Sequence, residues 1–251
     1  MILTTIEAVL QSIGQYALFM KRAMSTIRDA GKQYQITVRQ MVYLGVESLP
    51  VVLIASAFAG VVTTLQTAYQ LENSILTDEA IGAIVVPTLI LEMAALIPGL
   101  VLASRIGASV AAEIGTMRVT EQIDALEAMG LNSVSYLVLP RVVAGITMFP
   151  AVYVASALIS IWAGALAADW LGYLSVESFV LGARTYFLRS DVLYGMAKSV
   201  AFGYVITSVA CWKGFFAEGG ADGVGRATTE AVVVSCINIL IADYVLAEIL
   251  L

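Results

Sequence analysis

The chain has no histidine and only two cysteines among its 251 residues. Without histidine it lacks the side chain that most often moves protons near neutral pH and most often ligates metals. Cys211 and Cys236 stand in apolar surroundings without ligand spacing, so they read as small buried residues, not as a disulfide framework. Charge is scarce too: Asp, Glu, Lys and Arg make up 13% of the chain, against ~25% in a soluble domain. Nothing in that sparse charge indicates nucleic-acid binding.

Apolar residues are what the chain has in excess. They form 60% of it, with a mean hydropathy of +0.90, a surplus that no soluble core of this size can bury. Runs of ~20 apolar residues cross a ~30 Å hydrocarbon layer as helices. The runs are continuous and do not alternate, which points to helices and away from a barrel. The fold class is therefore an all-α polytopic membrane protein.

Residues 1–40 form an amphipathic interfacial helix followed by a basic cytoplasmic segment. Ile2, Ile6, Val9, Ile13, Ala17 and Met20 recur at helical steps, a stripe suited to lying on the membrane surface. Lys21, Arg22, Arg28, Lys32 and Arg39 follow the apolar part instead of preceding it, which argues against a signal peptide. Residues 41–251 then hold five spans, at about 42–68, 81–112, 137–168, 192–212 and 231–250. Pro50 predicts a kink in the first.

Basic residues orient the spans. Ten of the 13 Lys and Arg fall on the N-terminal side of this topology, and only Arg184 and Arg189 fall in the opposite connections. The acidic loop with Glu72, Asp78 and Glu79 carries no basic residue. The N-terminus is expected in the cytoplasm and the C-terminus outside. The segment 175–188, which holds Arg184, predicts a short amphipathic helix on the outer surface.

Four local patterns carry functional information. Ala103, Gly107, Ala111 and Gly115 repeat at four-residue spacing, which lets helix backbones approach closely, within one subunit or at a dimer seam. The polar stretch between Gly115 and Gly130 predicts a helix with Val119, Ile123, Leu126 and Met129 on one face. It suits either a docking site for a soluble partner or a solvated connection. Gly130 is placed to end it in a left-handed conformation. Glu92, Lys198 and Asp243 sit inside apolar runs, where a charge costs at least ~2.5–3.5 kcal/mol, so they are expected to face the bundle interior. Lys198 and Asp243 can pair. Finally, Gly219 to Gly225 lacks the lysine and hydroxyl of a phosphate loop and reads as a tight cytoplasmic turn.

The stretch Glu113-Ile-Gly-Thr-Met-Arg-Val-Thr-Glu-Gln-Ile-Asp-Ala-Leu-Glu-Ala-Met-Gly130, then Tyr136-Leu-Val-Leu-Pro-Arg141, resembles the signature of MlaE-type permeases. These are membrane subunits of lipid-transporting ABC systems in double-membraned bacteria and chloroplasts. Ser48-Leu-Pro50, Arg105-Ile-Gly107, Lys198-Ser199, Phe202-Gly203 and the stretch Gly220 to Thr229 match in the same order. The chain departs at Leu91-Glu92-Met, where such permeases often carry a basic residue before the glutamate. The resemblance implies a homodimer in the bacterial inner membrane, with five spans, a surface-lying N-terminal helix and a periplasmic C-terminus.

It also implies that Met117, Arg118, Thr120, Glu121, Gln122, Asp124, Ala125, Glu127 and Met129 belong to a coupling helix, about 116–130, seated in a cleft of a separate ABC ATPase. Glu92, with Lys198 and Asp243, would line a lipid cavity open toward a periplasmic MCE-type lipid-carrier ring. A small cytoplasmic STAS-type protein is a further implied partner. ATP would be bound and hydrolysed by the partner ATPase, since this chain has no nucleotide-binding motif, no metal site and no nucleophile–base arrangement. The expected cargo is phospholipid, moved between inner membrane and carrier for outer-membrane lipid homeostasis and asymmetry. Other hydrophobic substrates such as a sterol, or a secondary transporter, remain as alternatives. The last would require internal repeats and matched broken helices, which are not evident.

Overall fold

A computed structural model describes residues 2–25, 33–71 and 79–250, with the side chains of residues 2–9 and 79 outside that description. All regular structure among the described residues is helical. The elements are α1 (Ile2–Met24), α2 (Tyr34–Leu44), α3 (Leu49–Leu71), α4 (Glu79–Thr88), α5 (Ala94–Leu102), α6 (Ala108–Val119), α7 (Gln122–Ala128), α8 (Ser133–Trp170), α9 (Val176–Thr185), α10 (Arg189–Phe215) and α11 (Gly220–Leu250).

Five helical stretches are long and apolar enough to cross a membrane: 34–71, 80–119, 133–170, 189–215 and 220–250. This is a multi-pass membrane protein. Each stretch outruns the apolar run that predicts it, because helix pairing continues past the hydrocarbon into polar turns. At ~1.5 Å per residue, the 40 residues of the second reach ~60 Å, twice the hydrocarbon thickness.

Two of the helix irregularities lie beside prolines, which lack a hydrogen-bond donor. A 3₁₀ turn at Val46–Ser48 separates α2 from α3, so the kink expected at Pro50 comes just before the proline, which occupies the first turn of α3. In the second span, π turns at Leu89–Met93 and Ala103–Gly107 interrupt the α-helix. The first follows Pro87, whose missing N–H already loosens the ladder. Helix ends are closed by glycine. Gly130 (φ +79°) and Gly172 (φ +77°) take the left-handed conformation after α7 and α8. At the first, Leu131 N–H reaches the Leu126 carbonyl and Gly130 N–H that of Glu127. At the second, Tyr173 N–H reaches Ala168 and Gly172 N–H reaches Asp169. Both patterns are Schellman closures.

The chain packs as two compact units. One comprises 1–42, 103–145 and 204–237; the other comprises 43–102, 146–203 and 238–251. In the second unit α3 and α8 meet along a seam of small residues. Ser56 and Ser156 share a hydrogen bond of 2.7 Å. A Cβ on Gly60 would collide with the Ser160 carbonyl, and one on Gly164 with the Thr64 hydroxyl. Positions 56, 60 and 64 thus face 156, 160 and 164 in ascending order, so these two helices run parallel, as the first and third spans of an alternating bundle must. Nearby, Val85, Leu89, Ala168 and Phe179 are fully buried in one apolar cluster. Here α9 rests on α4: Gly82 meets the Phe179 carbonyl so closely that a Cβ would not fit. The predicted helix at 175–188 is thus present, capped by Ser175, whose Oγ accepts from Ser178 N–H.

In the first unit, α1 joins α10 through aromatic side chains. Tyr16 Oη lies 2.7 Å from Ser208 Oγ, and its ring stands edge-on to Trp212. Phe19 packs against Phe215 and Phe216 at 5.3 and 5.8 Å. Burial pushes the Tyr16 hydroxyl above its ordinary pKa, so it stays a neutral hydrogen-bonding group. The stripe expected on α1 is only partly the packed one. Met20 is buried, but Ile13 and Ala17 are exposed, and Phe19 and Ala23 complete the contact face instead. Ile2, Ile6 and Val9 have side chains outside the described residues, as do Arg28, Lys32, Glu72 and Asp78 entirely.

The small-residue run of the second span packs within the chain. Gly107 faces Ile206 and Ser235, Gly115 faces Ala217 and Val224, and Gly214 lies against the Ala111 carbonyl. The stretch Gly219 to Gly225 corrects the turn expected there. Only Gly219 (φ +94°) and Gly220 (φ +67°) take turn conformations, and α11 begins at Gly220, so Asp222 to Gly225 form its first turns.

Candidate functional site

The π turn at Leu89–Met93 shapes the polar centre of the second unit. Within it the Ala94 N–H reaches back to Leu89, one residue further than an α-helix allows. Two neighbouring carbonyls then receive side chains from other spans. The Tyr153 hydroxyl donates to the Ile90 carbonyl at 3.0 Å, and Lys198 Nζ lies 3.3 Å from that of Leu91. Gly195 makes room for the Tyr153 ring, since a Cβ there would overlap the phenol. The broken helix register thus becomes a set of acceptors instead of a defect.

Lys198 is the hub of this centre. Its side chain is fully buried (0% exposed), whereas that of Glu92 is 35% exposed and that of Asp243 16%. Nζ donates to Glu92 Oε1 at 2.7 Å. Asp243 Oδ1 lies 2.8 Å away as an ion pair, off the line of a good hydrogen bond. The Tyr194 ring covers the ammonium at 4.7 Å. Spans two, four and five therefore meet on one cation with two carboxylates, a formal charge of −1 when all three are ionised. Lys198 lies ~14 Å along α10 from Arg189, well inside the span.

Such a cluster is expensive in hydrocarbon unless every charge is paired. The pairing expected of Lys198 and Asp243 is present, and Glu92 joins it. Glu92 has no basic neighbour in sequence, and its cation comes from Lys198 of another span. Glu92 keeps enough open surface to meet a polar group of a ligand. Tyr153, Tyr194 and Gly195 were not singled out by sequence reasoning. A tyrosine within an apolar span was the available signal, because its hydroxyl needs a partner when buried.

The first unit holds the other predicted site, and one expectation changes there. The polar stretch is not a single helix. α6 runs on through Val119, the chain breaks at Thr120–Glu121, and α7 begins at Gln122. Glu121 takes φ +60°, the left-handed region that disfavours residues with a side chain. Arg118 spans the break with a 2.7 Å ion pair to Asp124, and Gln122 Nε2 donates to Thr120 Oγ1 at 3.0 Å. Ile123 is fully buried as the apolar anchor. Glu127 accepts from Ser133 Oγ at 2.6 Å and lies 3.6 Å from Arg22 of α1. Arg141, almost wholly buried, pairs with Glu113 at 2.8 Å just upstream.

Around that anchor, Thr120, Glu121, Gln122, Asp124, Ala125, Glu127 and Met129 are exposed, while Met117 and Arg118 are half-buried. Met129, expected on the apolar face beside Ile123, instead faces outward at 67% exposure. Ile123 is the one fully buried anchor of the segment, Val119 and Leu126 are half-buried on either side of it, and the polar positions are presented. Anchored on one side and polar with one exposed methionine on the other, it has the make-up of a docking knob.

Known proteins place these features in a family. The family model described as Permease MlaE matches residues 37–249. A Rickettsia bellii protein described as a probable ABC transporter permease is 37% identical over 238 residues, covering 95% of this chain and 92% of the relative. The intermembrane phospholipid transport system permease protein MlaE of Haemophilus influenzae is 31% identical over 241 residues, covering 96% and 92%. The chloroplastic protein trigalactosyldiacylglycerol 1 of Arabidopsis thaliana is 34% identical over 212 residues, covering 84% and 60%. With five apolar spans, a charged centre within them and a family match across nearly all its length, this chain belongs to the MlaE permease family.

Proposed function

We propose that this protein is the membrane subunit of an ATP-driven transporter that moves phospholipid between the inner membrane and a periplasmic carrier. The observation that carries the reading is the Glu92–Lys198–Asp243 centre in a family member whose Haemophilus relative is named for phospholipid transport. A lipid path needs apolar walls for acyl chains and a few polar groups for the headgroup. The exposed Val51, Ile54 and Phe58 of α3 and Leu240, Ile241 and Tyr244 of α11 fit the walls. Partly open Glu92 fits the headgroup end.

Two copies sharing one cavity give those faces a partner. ATP is bound and hydrolysed by a separate ABC ATPase, which engages the Met117–Met129 segment on each copy. An MCE-type ring receives lipid on the periplasmic side, and a STAS-type protein joins the ATPase in the cytoplasm. The N-terminus is cytoplasmic and the C-terminus periplasmic. Chemistry on the lipid is not required, because the work is a change of cavity shape driven through the coupling segment.

Purifying the full chain with and without its ATPase tests the reading. ATP turnover is expected only in the complex, and Glu121→Lys with Asp124→Lys is expected to abolish association. Complex formation unaltered by that double reversal would overturn the assignment of the segment.

A further inference from the structure

The external connection leaves an unexplained charge. Arg184 and Arg189 break the bias of basic residues toward the other side, and among the described residues no carboxylate pairs with either. A bare arginine at a membrane face has a reason to be there if an anion comes to it. Arg184 closes the last turn of α9 and lies at an apolar groove of about 230 Å³ between α4, α8 and α9. Every other lining residue is apolar, among them Val86, Ile90, Ile161, Trp162 and Phe179.

The groove is a fixed feature of this unit. Gly82 seats α9 directly on α4, and Phe179 is wholly buried beneath it, so the walls are set by backbone contact. Its position along the membrane normal also follows from the helix. Ile161 to Ala165 lie ~8–14 Å along α8 from its end at Trp170, the depth of the upper part of an acyl chain. Trp170, Tyr173 and Tyr186 are exposed around this end, which fits the aromatic belt at a membrane–water boundary. A greasy slot at acyl-chain depth, with a lone cation at its rim, matches one ligand in both halves.

We infer that this groove holds one acyl chain of an anionic phospholipid, with Arg184 pairing with a phosphodiester whose charge no headgroup cation neutralises. A chain there gains hydrophobic free energy only where it leaves water, so lipid already in the bilayer gains little from the slot itself. Selectivity therefore rests on the charge, and the site discriminates lipids by headgroup. It includes none of Glu92, Lys198 and Asp243 and does not depend on the transport reading.

The full chain is reconstituted in phosphatidylcholine vesicles that carry a mid-chain diazirine phosphatidylglycerol. After photolysis the labelled residues are mapped by mass spectrometry, and a diazirine phosphatidylcholine serves as the second probe. Labelling by the anionic probe is expected to concentrate at Ile161, Trp162 and Phe187 and to exceed that on the exposed Phe58 of α3. Arg184→Gln should lower it about five-fold, the value of one basic residue near an anionic surface, and lower labelling by the phosphatidylcholine probe, whose choline already offsets the phosphate, much less. Arg184→Lys should retain most of it. Ala165→Phe, which fills the slot, should lower labelling by both probes. Equal labelling by the two probes in the unaltered chain would overturn the inference, because the groove would then hold only bulk lipid. An Arg184→Gln chain that labels like the parent would overturn it as well.

Discussion

Replacing Lys198 with methionine removes the cation on which spans two, four and five converge while keeping the length of the side chain. Two carboxylates then remain within the reach of one former ammonium, at 2.7 and 2.8 Å from its position. Removing one member of a buried pair costs about 3–5 kcal/mol, because the partner keeps its charge without compensation. Glu92 is 35% exposed and is partly screened, which places the expected loss near the lower end, at about 3 kcal/mol. Glu92→Gln should cost less, about 1 kcal/mol, since the Lys198–Asp243 pair survives and the amide oxygen still accepts a hydrogen bond. Combining Glu92→Gln with Asp243→Asn strands the buried ammonium, so the loss should return to about 3 kcal/mol and exceed the sum of the single changes. Denaturant titration of the full chain in one detergent, read by tryptophan fluorescence, measures these three variants and Asp243→Asn alone. A Lys198→Met chain within about 0.5 kcal/mol of the parent would refute the reasoning, as would strict additivity of the carboxylate changes.

Three further predictions concern backbone geometry. Gly60→Val should force α3 off α8 at the Ser160 carbonyl and cost at least about 1–3 kcal/mol in the same titration. By contrast Gly14→Ala in α1, with nothing within 4 Å of the new methyl, should gain about 0.5–1 kcal/mol. Glu121→Gly should relieve the left-handed strain and raise stability by about 1 kcal/mol while weakening ATPase association. A fall in thermal midpoint for that variant would show that Glu121 is not strained.

The spans were legible because apolar runs of this length have one stable solution in lipid. Their ends were not, because helices continue into polar turns that hydropathy does not mark: α8 starts at Ser133 and α11 at Gly220. Glycines 223 and 225 carry turn signals, yet they sit in the first turns of a 31-residue helix, where propagation and packing outweigh their low propensity. The break at Glu121 was invisible for another reason. A glutamate at positive φ has no compositional signature, and the residues that stabilise the break, Arg118 and Asp124, look like any helical ion pair. The intramembrane charges were readable as isolated anomalies, and Lys198 with Asp243 as a pair. That Glu92 joins them depends on how three spans align, which one sequence does not encode locally. The aromatic clasp of Tyr16 and Phe19 on α10 was missed because a periodic stripe does not say which side meets lipid and which meets protein.

The central claim, ATP-coupled lipid movement through this chain, is tested most directly by reconstituting it with its ATPase in vesicles. Transfer of a fluorescent phospholipid between the vesicles and the soluble carrier is then followed. Transfer is expected only when both chains and hydrolysable ATP are present, and Glu92→Ala should slow it while leaving the complex assembled. Transfer at an unchanged rate without the ATPase, or driven by an ion gradient in its place, would contradict the account.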